Sequence, residues 1–262
     1  MAVDTFLSLV YQSGEGAPSH ASNQFFSQLP EGNFHRGNLM DIVTAVGTRK
    51  SIRGFKPDPV SKELLRNILS MACRAPSGSN IQPWEFTAIT GDVLESIRQD
   101  NARRYRSGAA PVPERPTAEK LPGSVYRVRQ VELGSQLFRL MGIARGDDEG
   151  RIHWRERGVR FFDAPAAIII SVDQSLETGA LLDIGIVAQT ICLVAMQYGL
   201  GTCIEGQGVA YPDILRKRLG IPASKRIIIS IAIGYPDWDF PANRIESTRE
   251  DVDDITTWYG FD

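Results

Sequence analysis

The chain has 262 residues, of which 42% are hydrophobic and 23% charged, with a formal net charge of −2. A chain of this length buries a large core, and its composition excludes disordered and fibrous classes. The slightly acidic balance supplies no broad positive field of the kind that holds proteins on nucleic acid or anionic membranes, so neither partner is expected and basic residues act locally.

In chain order, residues 1–40 are rich in Gly, Ser, Asn and Gln with weak periodicity and read as an N-terminal extension. They lack the positive n-region and long apolar run of an export signal. Residues 41–262 read as one domain. A short helical pattern over Asn38–Val46 leads into the basic run Arg49-Lys50-Ser51-Ile52-Arg53, and Pro57 and Pro59 stop regular structure. Ser61 can cap a helix carrying Leu64, Leu65, Ile68, Leu69 and Ala72 at helical spacing. A loop follows over Ala75–Asn80, then a strand over Trp84–Thr90, expected to be buried. Gly91-Asp92 turns the chain into another helix.

The stretch 101–160 is the least regular, with one amphipathic pattern through Val131, Leu133, Leu137, Leu140 and Met141. Ala166–Val172 and Ile227–Ile233 are continuous β-branched runs, as in central strands buried on both faces. Between them, Ala180–Tyr198 is an apolar helix on nearly every side. Asp183, Gln189 and Gln197 interrupt it, so it falls short of a membrane span of about 20 apolar residues. Something must cover its whole circumference, and a sheet plus a second copy of the chain would do so, though the centre of a large monomer would also serve. The order helix, helix, strand, helix, strand, helix, helix, strand predicts an α+β layered fold.

Candidate chemistry comes from three segments. Arg49, Lys50 and Arg53 surround the Ser51 hydroxyl, a mixture suited to phosphate, although a solvated basic edge has the same composition. Pro76-Ser77-Gly78-Ser79-Asn80-Ile81-Gln82-Pro83-Trp84 can offer short polar groups to a flat heteroatom-rich ring, or can be an ordinary helix-to-strand turn. Gly199-Leu200-Gly201-Thr202-Cys203-Ile204-Glu205-Gly206 lacks the dinucleotide fingerprint's third glycine and follows a helix, so it reads as a glycine-flanked loop presenting backbone N–H groups. Gly199 can also end the preceding helix. His20, His35 and His153 have no metal-ligand spacing, so no metal is expected. Cys73, Cys192 and Cys203 show no CxxC pattern, which fits a reducing cytoplasm. The clusters Arg103-Arg104-Tyr105-Arg106 and Arg216-Lys217-Arg218 read as solvated faces.

Taken in order, those three segments, with Arg249-Glu250-Asp251-Val252-Asp253-Asp254-Ile255, resemble the successive motifs of the FMN-dependent nitroreductase family from about residue 41 to the end. Phe161-Phe162-Asp163-Ala164-Pro165 and the long middle insertion look most like the branch that reduces nitrobenzoate and other nitroaromatic compounds. The resemblance implies a layered sheet flanked by helices in an intertwined homodimer, with FMN between the subunits. Arg49, Ser51 and Arg249 would hold its phosphate, Lys50 would contribute main-chain contact, and Arg53 would lie near the pyrimidine side of the ring. Pro76, Ser77, Gly78 and Asn80 would come from the other subunit, while Glu205 and Gly206 would face N5. No side chain is assigned as acid or base. Two departures stand out: a further flavin-contacting Lys or Asn has no counterpart within 101–160, and Ser247 replaces a basic residue.

The implied reaction is ping-pong transfer of electrons from NAD(P)H to small aromatic acceptors. Tyr126, Phe138, Trp154, Phe161 and Phe162 are candidates to stack on such an acceptor, with core packing as the alternative. Dehalogenation, azoline oxidation and flavin binding without turnover are the other readings open on this fold.

Overall fold

The two β-branched runs occupy the middle of the sheet. A computed structural model describes residues 40–116, 122–176 and 178–261. The proposed N-terminal extension lies outside the described residues, apart from Met40. Helices α1 (Ile42–Thr48), α2 (Lys62–Ala72) and α3 (Gly91–Arg106) bracket strand β1 (Glu85–Thr90). Helices α4 (Val125–Leu140) and α5 (Asp148–Val159) precede β2 (Ala166–Asp173). Then come α6 (Leu181–Gln197), β3 (Gly201–Glu205), α7 (Pro212–Leu219) and β4 (Lys225–Gly234).

The sheet order is β1-β2-β4-β3 and every pairing is antiparallel. Strand β2 is buried at each position from Ala166 to Val172, which explains its unbroken apolar sequence. A register shift between Ile170 and Ser171 inserts an extra residue in β4. Such a bulge reverses which residues face each side. Accordingly Ile228, Ile231 and Ile233 join one core layer with α2 and α6, while Ile227 and Ala232 join the other with α3 and α7. Each fully buried isoleucine contributes roughly 1.5–3 kcal/mol of apolar transfer.

Three expectations are corrected. Gly201–Glu205 is an edge strand rather than part of a loop, paired with β4; five residues between glycines carry too little pattern to reveal a strand. Glu85–Thr90 is also an edge strand, with only Ile89 buried. The region 101–160 contains two complete helices. Ser124 caps α4 by accepting from the Arg127 N–H, and Asp147 caps α5 by accepting from Gly150. Their surfaces are arginine-rich, and α4 buries only Leu137 fully, so the apolar period was faint. Tertiary contacts such as Leu137 on Ala242 and Ile245 stabilise them.

Helix α6 buries Ile184, Val187, Ala188, Ile191, Cys192 and Ala195 against the sheet. Leu182 and Gly185 are exposed and Ile186, Gln189, Leu193 and Met196 only partly covered, at spacings that share one helical face. An apolar stripe therefore faces outward. No helix among the described residues is long and apolar enough to cross a membrane.

Candidate active site

The basic run begins where α1 ends, at the Arg49 cap, and continues as extended chain beside β3. Ile52 N–H donates to Thr202 O at 2.9 Å, and Ser51 forms a parallel bridge with Thr202. Extended backbone sends alternate side chains to opposite sides. Ile52 is buried, which leaves Arg49, Ser51 and Arg53 together on the other side. Among the described residues, Arg49, Lys50 and Arg53 make no ion pair. By contrast Arg103, Arg104, Arg106, Arg216 and Arg218 all pair with carboxylates, so the two basic clusters read as solvated faces are neutralised locally.

Asn243 fixes this segment. Its side-chain oxygen accepts from Arg53 N–H at 2.7 Å and Gly54 N–H at 3.2 Å, while its amide donates to Gly54 O at 2.8 Å and Asp237 O at 2.7 Å. Lys50 Nζ donates to Asn243 O at 3.1 Å. Arg49 and Lys50 line a 220 Å³ groove with Thr48, Gly199, Gly201 and Thr202. Gly199 has φ +71°, so it serves as the left-handed residue past α6 as well as a groove wall.

At the far end of β3, the buried Glu205 closes a turn. Its carboxylate accepts from Gly208 N–H and from the Ser230 hydroxyl, both at 2.6 Å. Burial pushes the Glu205 carboxyl up to about 7, opposed by those two hydrogen bonds. The turn leaves Gly206 without a side chain beside the Arg115 guanidinium: a Cβ there would stand 2.8 Å from Nη2.

Phe161, Phe162 and Asp163 all have φ between 51° and 58°, a conformation costing about 1–2 kcal/mol per non-glycine residue. Arginines hold this turn. Arg157 donates to Phe162 O at 3.3 Å and to Arg53 O at 3.1 Å, Arg160 pairs with Asp163 at 2.8 Å, and Arg98 donates to Ala164 O. The Arg53 guanidinium lies 5.9 Å from the Phe162 ring centroid.

The five aromatics are not brought into one pocket. Phe161 and Phe162 are core residues, 0% and 4% exposed, because they wedge between β2 and α3. Trp154 packs on Phe162 at 6.0 Å. Phe138 lies in a separate groove under Arg151, and Tyr126 is exposed. Arg249 is also placed apart: it donates to Ser247 Oγ at 2.9 Å and lines a surface groove with Arg129 and Ile255, not the groove of Arg49. Its segment is exposed, with few contacts to fix it.

Pro76, Ser77, Gly78 and Asn80 form a turn in which Ser79 and Asn80 have φ of 50° and 58°. Gly78 N–H donates to Asp183 Oδ1 at 3.2 Å, and Asp183 is in the first turn of α6. This turn therefore sits at the start of α6, whereas Arg49 and Ser51 sit at its end. A helix of 17 residues is about 25 Å long, so one chain does not close the two groups on one small molecule. Sequence reasoning missed Asn243, Asp183, Ser230, Arg115 and Arg157. Each is an isolated polar residue without motif, whose role comes only from what it meets in space.

The Arg49–Arg53 run suits a phosphorylated group, with cations that make no ion pair among the described residues and a hydroxyl on one extended segment beside β3. Among the described residues no cluster of His, Cys, Asp and Glu could hold a metal. An α+β fold carrying such a run is compatible with a flavoprotein, and comparison with known proteins shows the family. The family model for the nitroreductase family matches residues 46–235. The nitrobenzene nitroreductase of Ectopseudomonas oleovorans is 33% identical over 83% of this chain and 96% of its own length. The 4-nitrobenzoate reductase of Pseudomonas putida is 30% identical over 85% of this chain and 97% of its own. Among solved structures, the FMN and NADPH-dependent nitroreductase NfnB from sphigopyxis sp. strain HMH superposes with a TM-score of 0.80 at 28% identity, covering 85% of this chain and 100% of that one. The chain belongs to the nitroreductase family, and its likeness to the nitroaromatic-reducing branch is borne out.

Proposed function

We propose that this chain is an FMN-dependent NAD(P)H oxidoreductase that reduces nitroaromatic or similar small aromatic acceptors by a ping-pong mechanism, as a homodimer. The observation that carries the reading is the run Arg49–Arg53, whose cations make no ion pair among the described residues and whose backbone is fixed by Asn243 and by β3, in a chain similar along most of its length to enzymes named for this reaction. Bound FMN would accept hydride from the nicotinamide and pass electrons to the acceptor.

Arg49 and Ser51 hold the phosphate. Arg53, locked through its backbone to Asn243 and Arg157, keeps a fixed positive charge beside the pyrimidine edge, where reduction builds negative charge. Gly206, which has no side chain of its own and lies beside the Arg115 guanidinium, would offer its backbone N–H to the flavin, and Glu205 keeps that turn rigid. Pro76, Ser77, Gly78 and Asn80 complete the site from the second copy. The two-chain arrangement is supported by the separation of the two groups along α6 and by the outward apolar stripe of that helix, which a second α6 in opposite sense would cover. Three free cysteines, one of them exposed, suit the reducing cytoplasm.

The test is an anaerobic absorbance spectrum of FMN-reconstituted protein, before and after NADPH or NADH and then 4-nitrobenzoate. A flavin band that bleaches with nucleotide and returns with the nitroarene supports the reading. A protein that binds no flavin refutes it, and flavin that nucleotide does not bleach leaves only a flavin-binding role.

A further inference from the structure

Helices α4 and α5 border a basic groove that shares no residue with the proposed flavin site. It holds 630 Å³, within the roughly 300–1,000 Å³ of small-molecule sites. Five arginines converge on it: Arg127 and Arg139 on α4, Arg145 in the turn that follows, and Arg151 and Arg155 one helical turn apart on α5. Among the described residues no carboxylate lines the groove, and Arg127, Arg139, Arg145 and Arg155 make no ion pair. Arg151 has only the exposed Asp148, 3.8 Å away. The arginines at the end of α3 and on α7, by contrast, are paired with carboxylates.

Between the arginines the lining is apolar, with Val131, Phe138 and Ile143, and the Arg151 guanidinium lies 5.6 Å from the Phe138 ring centroid. Gly134 falls between Val131 and Phe138 on the same face of α4. A glycine inside a helix costs roughly 0.5–1 kcal/mol against alanine. Packing does not call for it, because a Cβ on Gly134 would have nothing within 4 Å. Its missing side chain instead leaves the groove deeper at its middle.

The complement of this lining is a molecule with several anionic oxygens and a flat ring. Phosphates match the arginine forks, and a heteroaromatic base matches a surface of aromatic ring and guanidinium. A long nucleic acid would need the positive surface to continue, but Glu132, Glu246 and Glu250 line the neighbouring groove on α4. We propose that the groove between α4 and α5 is a nucleotide-binding site, with the phosphates on the arginines and the base over Val131, Gly134 and Phe138. Helix α5 links it to the redox site, since Arg157, about 9 Å along the helix from Arg151, donates to Arg53 O. The ligand is a free nucleotide or the nucleoside phosphate end of the dinucleotide donor, two sources with the same chemistry.

The probe is ATP, titrated calorimetrically at low salt into protein kept in excess FMN, so that the proposed flavin site is closed to it. Arg145 and Arg155 are exposed, and replacing both with glutamine is expected to weaken ATP binding about 100-fold, ~10-fold for each charge-assisted bond lost. Gly134→Leu keeps every charge but fills the middle of the groove; it is expected to abolish ATP binding with helix content unchanged by circular dichroism. Wild-type protein that binds no ATP, or unchanged affinity in either variant, overturns the site. Tripolyphosphate held as tightly as ATP overturns the nucleotide assignment, because the base would then add nothing. A single-stranded oligonucleotide held more tightly than ATP also overturns it, since the arginines would then serve a nucleic-acid surface. Displacement of ATP by NADP+ identifies the donor's phosphate end, and ATP bound equally in its presence identifies a free nucleotide; either supports the site. The titration requires no turnover, so failure of NADPH to bleach the flavin strikes the proposed function and not this groove.

Discussion

Replacing Glu205 with glutamine tests whether the turn at the end of β3 is built around a neutral acid. In the folded protein the carboxyl sits at about 7, against an ordinary value of 4.5, chiefly because it is buried. Between those values the native state keeps a proton that the unfolded state releases, so stability declines as pH rises and the full contribution is present only below 4.5. From pH 5.5 to pH 8.5 the wild type is expected to lose about 2 kcal/mol from this one group. Glutamine reproduces the protonated form. Its oxygen accepts from Gly208 N–H, and its amide donates to Ser230 Oγ, whose own hydrogen reaches Glu205 O at 3.0 Å. Glu205→Gln should therefore match the wild type near pH 5 and exceed it by about 2–3 kcal/mol at pH 8.5. The assay is urea unfolding of the flavin-free protein at both pH values and one protein concentration, since subunit association shifts apparent stability. Parallel pH profiles for the two proteins would refute the reasoning, because the carboxyl would then ionise as readily folded as unfolded.

Two further outcomes follow from single contacts. Asn243→Ala removes four hydrogen bonds that hold Arg53, Gly54 and Asp237; a loss of about 2–4 kcal/mol is expected from the stranded backbone groups. It should appear as a lower urea midpoint together with weaker FMN retention, and an unchanged midpoint would show that Asn243 is dispensable. Leu182 is 74% exposed on the outward face of α6, so Leu182→Arg should halve the mass seen by analytical ultracentrifugation and release FMN. A mass equal to that of the wild type would place the subunit contact elsewhere.

The sequence alone determined the central strands, because β2 and β4 are buried on both faces and so carry uninterrupted β-branched runs. It also determined α2, whose cap at Ser61 and apolar spacing are local features, and the family, because Arg49–Arg53, Pro76–Trp84 and Gly199–Gly206 keep their order. Strand β3 and helix α5 were illegible, and of α4 only the amphipathic pattern from Val131 to Met141 could be read, without its start: their stability comes from edges, caps and a few distant contacts more than from their own periodicity. Only the tertiary structure decided which polar residues matter in pairs. Asn243 is 189 positions from Gly54, Asp183 is 105 from Gly78, and the Arg115 guanidinium meets Gly206. It also set the two halves of the candidate site at opposite ends of α6. A helix's length is a distance in space, and no local pattern of residues records what lies beyond its two ends.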